Sequence, residues 1–370
     1  MWTDTYDRTL DDIFKIQEDI AENIANNLNI YLDDKSRSKM FEFGTKNVSA
    51  YEYFLKGRAL YFQNHSTGDA SLWDANVYFD RALQFDSTFA AAYWHKHDAF
   101  LHYLIGAENS LPPHVKDAND AYAKMTENID KAIALTTIPS KQNLYRFAKT
   151  FFSNDWTNLG YYAELFINNP DAPKVMAEIE TGYCTFSFVL LGKGEKLFEI
   201  CKQAVVHDPF QSTLWTRGTL GALAAKRFDD AYAFAKKGEQ VLDTEISWAS
   251  VPASMILGKR VKSANPQFLP IVLSKNGEHL KAIKLANQQY EQDSLNFFLV
   301  WAYAQLNQND KANFIAANVD KMELGHVRLA ALCVFSYGMK ERIFFDLDST
   351  PNFATRLREA GILLEKSQLP

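Results

Sequence analysis

The sequence predicts an all-α solenoid of stacked helical hairpins, and three observations carry that prediction. Ala75, Phe79, Ala82 and Leu83 stand at i, i+4, i+7 and i+8, and the same frame returns as Leu197, Cys201, Ala204 and Val205 ahead of Asp208 and Pro209. Residues at that spacing share one helix face, so each segment reads as a helix with an apolar stripe. The chain's 370 residues exceed what a single core usually serves, whereas hairpins that cannot fold alone bury a continuous core when they are piled up. Composition agrees: 47% hydrophobic and 14% aromatic residues suffice for an extensive core, with too little Gly and Pro for a disordered chain.

Taken in order, the stretch 1–45 differs from the rest. Trp2 to Tyr6 alternates apolar and polar residues like the end of a strand, and Thr9 to Ile30 reads as a helix with Leu10, Ile13, Ile16, Ile20, Ile24 and Leu28 on one stripe. Asp4, Asp7, Asp11 and Asp12 read as helix-capping carboxylates at that junction. A lone strand is not stable without partners. The run WTDTYDRTLDDIFKIQEDIAENIANNL closely resembles the tail of the TolB-like domain of bacterial CadC-type regulators and some multidomain adenylate cyclases. There, that domain precedes a tetratricopeptide (TPR) array. The resemblance implies that 1–45 is the remnant of an α/β domain and that this chain is the C-terminal portion of a longer protein.

The array is expected over 46–345, starting at Val48. With Ala50 as position 1 of a TPR frame, Tyr53 and Gly57 fall on the bulky fourth and small eighth positions, and Ala75, Phe79 and Ala82 follow after an insertion around Gln63 to Ser71. The second hairpin pairs Phe89–Leu104 with Ala118–Leu135 through a loop containing Leu111, Pro112 and Pro113. The third pairs Lys141–Ser153 with Trp156–Ile167, the fourth Val175–Leu191 with Glu195–Val206, and the fifth Ser212–Ala225 with Phe228–Leu242. Pro252, Pro266 and Pro270 forbid a regular hairpin between Glu245 and Lys275, so a degenerate repeat is read there. Regularity returns with His279–Tyr290, then Leu295–Leu306 against Lys311–Val319. The segment 346–370 contains DSTPNFATRLREAGI, which resembles the closing segment after TPR arrays in the same regulators, carried by Pro351, Phe353, Leu357 and Gly361. A helix covering the apolar end of the stack is the expected role. The frame departs from the family at Lys56 and Lys96, where Leu is preferred, and at Ser87 and Thr137, where Pro is usual. The resemblance implies a right-handed superhelix.

A net charge of −6 without a basic stripe disfavours direct nucleic-acid binding. No apolar run approaches a membrane span, and Met1 to Asp7 lacks the regions of a signal peptide, so the chain reads as soluble. The three cysteines read as core fillers, with Cys184 and Cys201 placed so that they could face each other across the Gly192-Lys193-Gly194 turn. No phosphate loop, dinucleotide fingerprint, zinc-protease helix or serine elbow occurs. His95, Asp98 and His102 could form a metal stripe on one helix, but His97 beside them falls on a packed position. The favoured reading is structural, with no metal, no cofactor and no catalytic residue. Asp346 and Asp348 likewise read as caps.

In TPR proteins the concave groove is lined by fixed positions of each first helix. That rule, supplied by the resemblance, selects Tyr51, Phe54, Arg58, Tyr61 and Phe62, then Trp94, Asp98, Leu101 and His102, then Leu144, Phe151, Phe152, Phe186 and Leu220, and finally Phe297 and Trp301. Such an apolar groove suits an amphipathic or extended peptide. The rival reading is that these aromatics are core, or that the array's own insertions fill the groove. The expected function is a non-enzymatic protein- or peptide-binding region, the sensor or interaction module of a bacterial signalling or transcription-regulatory protein, with a homodimer as a further option. A CadC-type parent places it in the periplasm and a cytosolic parent in the cytoplasm. The alternative is a free-standing TPR scaffold for complex assembly, which upstream coding sequence for the rest of a TolB-like sheet would exclude.

Overall fold

The computed structural model describes residues 34–67, 70–106, 114–179, 182–336 and 345–362. The strand and helix expected before Asp34, and the Leu111-Pro112-Pro113 loop, lie outside them. Every regular element among the described residues is helical. Helix α1 (Asp34–Phe43) leads into the first hairpin, α2 (Val48–Thr67) with α3 (Leu72–Phe85). The next are α4 (Ala90–Leu104) with α5 (Ala118–Leu135), and α6 (Pro139–Phe152) with α7 (Leu159–Ile167). Gly57 shows why the first pair packs closely: a Cβ there would lie 2.7 Å from the Phe79 ring, so only a glycine lets α3 lie against α2. Ser71 opens α3 by accepting a hydrogen bond from the Trp73 N–H, and Asp117 opens α5 by accepting one from the Asp120 N–H.

The fourth hairpin departs from the expected single helix over Val175–Leu191. The chain forms α8 (Ala172–Glu178), leaves the helix at Ile179 with φ −125° and ψ 127°, and resumes through a 3-10 turn (Gly182–Thr185) as α9 (Phe186–Leu190). Only α8 packs extensively on α10 (Gly194–His207), which leaves α9 to turn inward. The fifth hairpin is α11 (Ser212–Ala224) with α12 (Phe228–Leu242). In the proline-rich stretch, α13 (Ser247–Ile256) contains Pro252, Pro266 opens a 3-10 turn, and Pro270 lies in the first turn of α14 (Leu269–Lys275). Helix α14 pairs with α15 (His279–Gln292), and α16 (Phe298–Gln305) with α17 (Asn309–Val319).

Helix α18 (Gly325–Ser336) has no counterpart in the sequence reading, and it determines how the stack closes. Gly325 starts it in a space where a Cβ would come within 1.9 Å of the Val319 carbonyl oxygen. Val327 and every residue from Leu329 to Phe335 are buried. Its neighbours come from across the array, with α9 and α11 packed on it. Arg328 donates from Nη2 to the Leu104 carbonyl at the end of α4 (2.7 Å), and His326 Nε2 lies 3.1 Å from the Phe151 carbonyl in the last turn of α6. Helix α19 (Pro351–Glu359) then covers the end of the stack with Phe353 and Leu357 buried. Gly361 closes it at φ +66°, with the Ile362 N–H donating to the Leu357 carbonyl. Asp346 caps the preceding 3-10 turn by accepting from the Asp348 N–H.

One apolar cluster runs from Trp94 to Ile362, while Met40 to Ala99 form a second around the first hairpin and a small third surrounds Trp215. No disulfide links Cys184 and Cys201; both thiols and that of Cys333 are buried, and burial pushes Cys201 and Cys333 up to about 12. Among the described residues no helix is long and apolar enough to cross a membrane.

Candidate functional site: the filled inner face

The sequence places a binding groove on Tyr51, Phe54, Arg58, Trp94, Asp98, His102, Phe151, Phe186, Phe297 and Trp301. The structure places the aromatic members in the core, none more than 8% exposed. Tyr51 and Phe54 pack on Phe43, Phe54 also meets Phe79 and Phe89, and Trp94 stacks on Tyr145 with ring centroids 4.3 Å apart. Phe297 lies on Phe298. Phe186 and Trp301 both face Phe335 of α18, and the Phe151 carbonyl faces His326. Phe186, Trp301 and the Phe151 carbonyl thus meet α18, whereas Tyr51, Phe54 and Trp94 pack on the helices beside them. The flanking Leu101, Leu144, Phe152 and Leu220 are buried too. The run Leu329–Phe335 is apolar all round and has to be enclosed, and the rings that reach Phe335 help to enclose it.

The polar members, Arg58, Asp98 and His102, each have partners on neighbouring helices. Arg58 lies between the Phe43 and Phe62 rings, 5.2 and 4.5 Å from their centroids, and donates from Nη2 to the Glu178 carbonyl at the end of α8 (3.3 Å). Burial holds its guanidinium below the usual arginine range. Lys141, also held down by burial, donates to the Glu42 carbonyl (2.6 Å) and pairs with Glu178 (3.1 Å), so α1, α6 and α8 are tied together.

The histidine stripe divides. His95 turns into the rings of Phe54, Tyr61 and Phe79, with Nδ1 2.8 Å from the Ala91 carbonyl, and burial lowers it to about 3. His97 packs on Trp94 and hydrogen-bonds its carbonyl. His102 goes the other way, and His65 from α2 joins it. Asp98 Oδ2 lies 3.1 Å from His65 Nε2 and 3.5 Å from His102 Nε2, with the two imidazole rings 5.0 Å apart. The Asp98 carboxyl is held well below the usual carboxylate range: burial raises it, but the charges of His102 and His65 and the hydrogen bond from His65 more than offset that.

The sequence reading weighed His95, Asp98 and His102 as a stripe and set it aside as structural; the structure joins Asp98 and His102 to His65, and none of His65, His326 and Arg328 was singled out. No local spacing connects His65 to Asp98. Only the stacking of α2 beside α4 does, because each helix brings its last turn to the same place.

No protein-family model matches the chain, and no solved structure matches it. Among curated proteins, it is similar to a protein named putative adenylate cyclase 3 of Rhizobium meliloti (strain 1021), with 28% identity over 93 residues. That alignment covers 25% of this chain and 15% of the relative, so the likeness concerns a small part of a much longer protein. An all-helical stack with a partial likeness to a cyclase-named protein fits a signalling-related helical module.

Proposed function

We propose that this chain is a non-enzymatic TPR-like region of a bacterial signalling or transcription-regulatory protein, acting as a sensor or interaction module whose inner face is held shut by α18. The observation that carries the reading is the packing of α18 against Phe186 and Trp301, two residues that the sequence assigns to the groove. Helix α18 makes the contacts that a bound helical peptide makes in a groove: apolar side chains along its length, aromatic anchors against Phe335, and two polar side chains on the carbonyl ends of α4 and α6. A partner that reads the inner face is therefore a protein or peptide segment, and it has to displace α18. A ligand shifts such an equilibrium only by its differential affinity for the open state. The likeness to a cyclase-named protein supports a signalling context.

The test uses a fluorescent peptide spanning 320–340 and a variant whose α18 is loosened, Arg328→Ala with His326→Ala. The variant is expected to bind the peptide while the intact chain does not, read as a rise in anisotropy. Equal binding by both, or by neither while the variant keeps its helical circular dichroism, would overturn the held-shut face. Turnover of ATP by the purified chain would overturn the non-enzymatic part.

A further inference from the structure

We propose that His65, Asp98 and His102 form a site for one divalent transition-metal ion of the zinc class, joining the end of α2 to α4. One ligand atom from each of His65, Asp98 and His102 lies within 4.8 Å of the other two. A tetrahedral zinc with bonds of about 2.0–2.1 Å sets neighbouring ligand atoms roughly 3.3 Å apart. The two nitrogen-to-carboxylate separations, 3.1 and 3.5 Å, bracket that spacing.

Hydrogen bonding sets the tautomer at one ligand. His65 Nδ1 lies 2.8 Å from the Tyr61 carbonyl, which only accepts, so Nδ1 carries the hydrogen. In the neutral ring, Nε2 then directs a lone pair at the Asp98 carboxylate, and two lone pairs facing each other need a positive centre between them. A proton serves one ring. A metal ion serves both rings and the carboxylate at once, and a backbone carbonyl fixing the far nitrogen is how metal-binding histidines are held. Two neutral nitrogens with one carboxylate favour zinc, cobalt or nickel over magnesium or calcium.

The surroundings favour a cation as well. His65 and His102 lie in the last turns of α2 and α4, where the helix dipoles present partial negative charge. The two histidine side chains are 11% and 13% exposed and Asp98 only 1%, so the carboxylate is shielded from water.

The experiment titrates the purified chain with Co²⁺ while recording the visible spectrum, and with Zn²⁺ by calorimetry. One equivalent with the intense visible bands of a four-coordinate cobalt site is expected, together with a rise in melting temperature. His65→Ala and Asp98→Asn are each expected to weaken binding by at least roughly tenfold, whereas His207→Ala, at an exposed histidine, leaves it unchanged. An intact chain that takes up no Co²⁺ would reduce the cluster to an ion pair and overturn the proposal, and this outcome needs no variant to fold. Binding that survives His65→Ala and His102→Ala in proteins with native circular dichroism would also overturn it.

Discussion

Helices α3 and α18 are both short, and both are rich in apolar side chains, yet they were not equally legible. In α3 the buried positions are Leu72, Ala75, Asn76, Phe79 and Ala82, one stripe, while Val77 and Phe85 stand in solvent. In α18 the whole run from Leu329 to Phe335 is buried. Helical periodicity records an asymmetry of burial, and a helix enclosed on every side has no asymmetry to record. The helix buried along its length therefore leaves the weaker pattern.

The largest expected effect follows from that enclosure. Phe335 faces Phe186, Trp248, Phe298 and Trp301, which belong to three other helices. Phe335→Ala is expected to destabilise the fold by about 3–5 kcal/mol, the usual cost of truncating a buried aromatic. Denaturant melts measure it. A loss under about 0.5 kcal/mol, the range of a surface site, would mean that α18 is not enclosed, and the contrast with α3 would collapse.

Acid sharpens the comparison, because each region buries a histidine. His95 lies against the first hairpin and His326 on α18, and burial lowers them from 6.5 to about 3 and about 4. The unfolded chain takes up these protons first, so stability is complete above 6.5 and falls as the pH drops from 6.5 toward 4. The slope is roughly 1.4 kcal/mol per pH unit for each histidine. Asp98, whose carboxyl is depressed, works in a lower window: its contribution is present above the ordinary carboxylate range and is lost only further into acid. Replacing His326 with Gln is expected to flatten the slope by the α18 share and His95→Gln by the first-hairpin share. A pH profile that stays flat through this range in the unmodified chain would show that neither ring is held neutral.

How much was legible follows from the same physics. The ends of α4, α5, α11 and α12 agree with the sequence reading to within a residue or two, since each carries a stripe and a turn residue. Pro351, Phe353, Leu357 and Gly361 marked α19 through a local motif. The break at Ile179 was marked only by Glu180, Thr181 and Gly182, and the reading ran a helix through them because apolar residues resume from Tyr183. The groove aromatics were correctly expected to be large and apolar, but composition does not say whether water or another helix lies against such a face. Trp301 reads the same in either case. His65 was missed because its partners are distant in sequence, whereas His95 was weighed beside His102 because helical spacing alone relates them.

The smallest expected effect tests the first hairpin on its own terms. Ser71 caps α3 through a single hydrogen bond to the Trp73 N–H, at a helix whose core, Met40 to Ala99, is separate from the large cluster around α18. Ser71→Ala removes that acceptor and leaves an end-of-helix donor to water, which costs about 1 kcal/mol. The loss should be local: faster amide hydrogen exchange across α3, with protection of α18 unchanged, because an outer hairpin can open without unpacking the centre. Equal acceleration in both helices would show that the first hairpin and the central helix unfold as one unit, and the distinction between a legible rim and an illegible centre would then describe the sequence pattern alone.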